Sequence, residues 1–147
     1  MELVEHRFDE LSRLQYRLFT CALGGKHNPT ALVLKFSGVY GDGSAGNDDA
    51  AFMRVITRAA ISAWRNHAVV FDLRELAYEW GNGIWSVFSR LMDPSEGENL
   101  PCAMVISDRC RGGFSTCARL VPPMFDDLDS AVAFVAEPAR VALDHGP

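Results

Sequence analysis

The sequence predicts an α/β fold: a single mixed sheet with a parallel portion, an N-terminal β-hairpin and about four helices. Two observations lead there. Short apolar runs alternate with amphipathic helical patterns from residue 49 onward, which is the signature of strand–helix–strand crossovers. Ahead of them, two β-rich runs flank G-G-K-H-N-P-T, a strong turn sequence.

Taken in order, residues 3–14 carry Leu3, Val4, Phe8, Leu11 and Leu14 at loose helical spacing. They predict an N-terminal arm or short helix over residues 1–15. Y-R-L-F-T-C-A-L (16–23) and A-L-V-L-K-F-S (31–37) are the hairpin strands. G-V-Y-G-D-G-S-A-G-N (38–47) is a glycine-rich loop, and Asn47, Asp48 or Asp49 is expected to cap the helix that follows. That helix, roughly 49–65, carries Phe52, Val55, Ile56, Ala59, Ala60, Ala63 and Trp64 on one stripe, opposite Arg54, Arg58, Ser62 and Arg65.

A-V-V-F-D-L (68–73) is short and continuously apolar, as a parallel strand covered on both faces should be. Ile84, Val87, Phe88 and Leu91 then predict a second helix, with Trp85 and Met92 beside its stripe and D-P-S-E-G-E-N closing it. P-C-A-M-V-I-S (101–107) is the next buried strand. D-R-C-R-G-G is a glycine-bearing turn and F-S-T-C-A-R-L a short helix. Asp127 or Asp129 caps a last helix, which Pro138 is expected to stop, leaving a loose tail over 138–147. The domain proper is therefore expected over 16–137.

Composition narrows the function. The net charge is −5, and the twelve Arg and two Lys are scattered, so no basic patch is offered to nucleic acid or an anionic membrane. No apolar run approaches the ~18 residues of a membrane span. M-E-L-V-E-H-R-F-D-E has no apolar core and does not read as a secretory signal, so a cytoplasmic location is expected. Cys21, Cys102, Cys110 and Cys117 form no C-x-x-C pair. Reduced thiols, no metal site and no cofactor are the expectation.

Ligands of parallel sheets favour the crevice beyond the carboxyl ends of the strands. Three loops are expected on that rim, at 38–48, 74–83 and 108–113. They carry Tyr40, Asp42, Asp48, Glu75, Tyr78, Glu79, Trp80, Asn82, Asp108, Arg109 and Arg111. Gly81-Asn82-Gly83 either turns the chain or presents amides to an anion. No P-loop Lys follows it. Arg109 and Arg111, with Gly112 and Gly113, have the same two readings. Trp80 is an interface anchor or local packing, and Trp85 is expected in the core. His6, His27, His67 and His145 lie away from any Ser or Cys they could activate on this topology, and only Glu79 with Asp108 offers a carboxylate pair.

The run L-V-L-K-F-S-G-V-Y-G, its capped helix, H-A-V-V-F-D-L-R-E-L-A-Y with the glycine elbow, L-P-C-A-M-V-I-S and F-D-D-L-D-S-A-V-A-F-V together resemble the STAS domain family of bacterial anti-sigma-factor antagonists. The resemblance covers about residues 16–137. The family's elbow reads Asp-Ser-Ser-Gly, where a partner kinase phosphorylates a serine. Here the same positions hold Trp80, Gly81, Asn82 and Gly83. Only the glycine is kept, so the phosphorylation switch does not carry over.

What the resemblance implies is a non-enzymatic regulatory module that binds a partner protein through the elbow at 78–85 with Tyr40 and Asp42 of the 38–48 loop. Self-association as a homodimer is included. Two other readings stand beside it. One is an acidic, immunity-type inhibitor steered to a basic enzyme by charge. The other is a small-ligand binder or enzyme that uses the Asp108–Gly113 loop.

Overall fold

A computed structural model describes residues 1–93, 95 and 99–146. The elements are β1 (Gln15–Ala22), β2 (Thr30–Val39), α1 (Asn47–Trp64), β3 (Ala68–Ala77), α2 (Trp85–Met92), β4 (Cys102–Val105), α3 (Arg111–Ser115), β5 (Met124–Phe125) and α4 (Leu128–Asp144). The fold is α/β with one five-stranded mixed sheet in the order β1-β2-β3-β4-β5. The β1–β2 hairpin is antiparallel, and every later neighbour is parallel.

That order decides where the helices go. Each parallel strand is added on the same side of the last, and right-handed crossovers then put α1, α2 and α3 on one face. The large side chains point there: Leu32, Leu34 and Phe36 of β2, Val69, Phe71 and Leu73 of β3, and Met104 of β4. The alternate positions Ala31, Val33, Ala68, Val70, Ala103 and Val105 point to the other face, against Ala131, Val135, Ala136 and Ala139 of α4. Period-two alternation between large and small residues thus explains runs that read as continuously apolar. Small residues on both sides also let α4 approach the sheet closely.

Asp127 caps α4, its carboxylate accepting from the Ser130 amide at 2.7 Å. The helix does not stop at Pro138, as the sequence had suggested, but runs to Asp144. Pro138 and Phe134, the residue whose carbonyl it leaves without an amide partner, are both exposed. Ala139 packs in the core beyond it, and the Arg140 guanidinium bonds the Leu23 carbonyl. Pro147 lies outside the described residues, as do Pro94 and Glu96–Glu98 of the stretch expected to close α2.

Other expectations shift in detail. The inward line of α1 runs through Ala50, Met53, Thr57, Ala60 and Ile61, while Ala59, Ala63 and Trp64 are exposed. Thr57 is buried because its hydroxyl donates to the Met53 carbonyl at 2.7 Å, which makes a polar residue compatible with the core. No side chain caps α1. Asp49 instead accepts from the Ser12 hydroxyl at 2.6 Å and the Gly41 amide at 2.8 Å, tying the N-terminal arm to the loop before α1. The arm holds a single 3-10 turn, Phe8–Glu10, and buries Leu14. β3 extends to Ala77 because Glu75, Leu76 and Ala77 continue to pair with Ser37, Gly38 and Val39. Gly112 and Gly113 are inside α3, and β5 is an additional strand.

Candidate functional site

The three loops at the carboxyl ends of the parallel strands are stitched to one another by backbone hydrogen bonds. Tyr40 N–H donates to the Ala77 carbonyl at 2.9 Å, Gly43 N–H to Trp80 at 3.3 Å, and Tyr78 N–H to Arg109 at 3.1 Å. A chain of rings runs beneath them. Tyr40 meets Tyr78 edge-on at 5.3 Å, Tyr78 meets Phe114 at 4.7 Å, and Phe88 links Phe114 to Phe71 of β3. Each such pair adds about 0.5–1.5 kcal/mol beyond simple burial. The rim is therefore a rigid extension of the core.

Within it, Tyr40 and Tyr78 are buried, 2% and 3% exposed, so their rings support the rim from inside. The Tyr78 hydroxyl donates to the Gly81 carbonyl at 2.8 Å and fixes the elbow. Burial, with a smaller contribution from Cys117, pushes the Tyr78 phenol up to about 12. Burial raises Tyr40 as well, followed by its neighbours Tyr78 and Asp49. Both stay neutral across the physiological range, Tyr78 bonded to Gly81 and the buried Tyr40 hydroxyl without a hydrogen-bond partner among the described residues.

Trp80 is the opposite case, at 61% exposed. One edge of its indole occupies the space beside Gly43, where a Cβ would meet the ring at 2.6 Å. Gly81, at φ +133°, packs back against the Gly43 main chain. The pair of glycines lets two loops touch through their backbones, and the indole is held across the junction with its outer surface in solvent. Asn82 and Glu79 are exposed beside it, Asp42 is exposed on the facing loop, and Gly83 is half-buried against Asn47 and Ala50. Trp85, at the start of α2, is partly buried against the core, as expected.

The Asp108–Gly113 segment is differently engaged. The Arg109 guanidinium donates to the Glu75 carbonyl at 3.3 Å. Arg111 is held by Asp126 and by Asp108. A Cβ on Gly113 would lie 2.5 Å from the Tyr78 ring, so this glycine exists for close packing. Gly112 is open to solvent. Glu79 and Asp108 do line one cleft, of about 400 Å3, together with Tyr78 and Arg109. The histidines are elsewhere. His67 accepts from the Thr30 amide at the other edge of the sheet, while His6 and His27 lie beside Glu10 and Asp144.

A second concavity was not anticipated. A groove of about 490 Å3 runs between β1 and α4, floored by Phe19, Cys21 and Val33 and walled by Leu128 and Val132. Its end holds Lys35, Asp72 and Arg74. The Asp72 carboxylate is 3% exposed and takes the Arg74 guanidinium in a fork at 2.9 and 2.8 Å. The sequence signal was a charge interrupting each of two apolar runs, Lys35 and Asp72, which prove to be partners in register.

The chain matches none of the models of known protein families, and no curated protein matches it. Among the described residues, no helix is long and apolar enough to cross a membrane.

Proposed function

We propose that the chain is a STAS-like, non-enzymatic regulatory module, cytoplasmic, that binds a partner protein through the strand-to-helix elbow at 78–85. The observation that carries this reading is Trp80. A large aromatic surface is displayed at the carboxyl edge of the sheet while the far edge of its ring is seated on Gly43. Interface anchors have this character: much area and little side-chain entropy lost on binding. Asp42, Glu79 and Asn82 supply a polar rim around it. Tyr40 and Tyr78 act from below, as the supports of the surface.

The small-ligand reading has one feature in its favour, the cleft between Glu79 and Arg109. It loses Arg111 as an anion clamp, because two carboxylates already hold that guanidinium.

The test is retention of partners by wild type and by Trp80→Ala, with thermal unfolding of both. The proposal expects a protein that is lost from a variant that still folds.

A further inference from the structure

β1 is an open edge, and its geometry specifies what pairs with it. The Leu23 amide donates to the Pro29 carbonyl, in the register that runs on through Ala22–Thr30 to Gln15–Ser37. On β2, the Thr30 carbonyl turns the other way and accepts from His67 beside β3. In an antiparallel ladder the residues alternate between bonding inward and bonding outward. Arg17, Phe19 and Cys21 therefore use their main-chain groups on β2. Tyr16, Leu18, Thr20 and Ala22 aim theirs away from the sheet.

Among the described residues of β1, Arg17 is the one charge on this edge. Natural sheets protect edges with lysines, proline, a bulge or a very short strand. β1 has eight residues, no Lys, no Pro and an unbroken register with β2. The opposite edge, β5, is two residues long and contacts α4. The N-terminal arm does not cover β1 on the groove side, since Phe8 and Leu14 line a hollow with Phe52 and Ile56 on the α1 face. On the groove side a single helix, α4, lies over β3, β4 and β5 and reaches β2, where Ala31 and Val33 are buried, so β1 is the least covered strand of that face. Phe19 stands there 43% exposed, with the Arg17 guanidinium over its ring at 5.1 Å.

We propose that β1 pairs antiparallel with β1 of a second copy of this chain, making one continuous sheet across a two-fold axis. A two-fold pairs a strand with itself only antiparallel, and the interface closes after two copies. One register uses every outward group: Tyr16 with Ala22 of the second copy, Leu18 with Thr20, and the two reciprocal pairs, each exchanging two hydrogen bonds. Registers displaced by one step on either side leave outward groups of each strand without a partner.

The chosen register puts Phe19 on the axis, facing Phe19 of the second copy as a non-hydrogen-bonded pair with Cα atoms about 4.5 Å apart. The two grooves beside β1 then become one cleft flanked by both α4 helices. Arg17 is the one charge on β1 and falls opposite Cys21 of the second copy, at the mouth of that copy's groove. Asp129 lines the same groove and makes no ion pair among the described residues. No like charges are paired directly across the two β1 strands, and the groove itself holds Lys35 and Arg74 beside Asp72 and Asp129. This pairing is independent of the elbow, which lies at the carboxyl edge of the sheet.

The experiment is sedimentation of the full chain, wild type beside Thr20→Pro, together with oxidation of Arg17→Cys. Thr20 donates its amide outward, so proline there spares the β1–β2 ladder. The wild type is expected to sediment as a dimer and Thr20→Pro as a folded monomer. Arg17→Cys places a thiol opposite Cys21 of the second copy, so oxidation should yield a disulfide-linked dimer that Arg17→Cys/Cys21→Ser does not form. Wild-type Cys21 is too far from its counterpart to cross-link and serves as the control. Should Thr20→Pro fail to fold, the cross-linking pair decides alone. A monomeric wild type overturns the proposal, as does a dimer that Thr20→Pro leaves intact or that Arg17→Cys does not cross-link. Trp80→Ala is expected to leave the dimer unchanged.

Discussion

The indole of Trp80 fills the volume that a side chain at Gly43 would need, the two lying 2.6 Å apart when a Cβ is built on the glycine. The indole is thus seated by the absence of a side chain in a different loop. Gly43 also has φ +56°, a conformation that L residues adopt at a cost. Gly43→Ala should lower stability by about 1–2 kcal/mol from backbone strain and push the indole off its seat. Urea unfolding and the tryptophan emission maximum check both. An unchanged midpoint with unchanged emission would contradict the seating.

Gly113 has the same relation to Tyr78, from below. A Cβ would lie 2.5 Å from the ring and 2.8 Å from the Glu79 carbonyl. Both neighbours are fixed, the ring by its bond to Gly81 and by Phe114. Gly113→Ala should cost about 1–3 kcal/mol through overpacking. Gly112→Ala, with nothing within 4 Å, is the matched control and should be near neutral.

Asp72 gives the fold a pH dependence of known sign. Burial alone would raise its carboxyl, but the hydrogen bonds from the Arg74 side chain and amide, with the charges of Arg74 and Lys35, outweigh burial and hold it below the ordinary value of 3.8. A folded value below the unfolded one means that the ion contributes stability above pH 3.8, and that this contribution is lost as pH falls through the folded value. Asp72→Asn should therefore be less stable at neutral pH, with a shallower loss on the acid side. Unfolding free energies across that range, with parallel slopes for both proteins, would contradict the assignment.

Most of the fold was legible because it rests on short-range pattern. A-L-V-L-K-F-S and A-V-V-F-D-L declared two adjacent parallel strands, and the elbow at Gly81 and the cap at Asp127 were local signals. What the sequence hid depended on neighbours. Met124–Phe125 is a strand only because β4 lies beside it. Pro138 is tolerated because its helix has an exposed side there and two anchors beyond. Thr57 reads as a break in the stripe of α1 until its hydroxyl finds Met53.

The candidate site was legible in position and less so in role. The rim loops do come together, yet Tyr40 and Tyr78 point inward, and Glu75 and Ala77 belong to the strand. Arg111, Gly112 and Gly113 fold into α3 and Arg109 lies in the turn before it, and both arginines are already engaged. The groove beside β1 follows from one helix covering only part of a five-stranded face, which no single segment announces.

The central claim is that Trp80 anchors a partner protein, and the most direct measurement is capture from the source cell's lysate with wild type and Trp80→Ala as paired baits. Both baits should remain folded, Trp80→Ala melting a little lower through the lost contact with Gly43, because the indole surface that binding would use is already in solvent. The account predicts a specific protein retained by the wild type and lost from the variant. Equal retention by two folded baits, or a Trp80→Ala chain that unfolds, would contradict it.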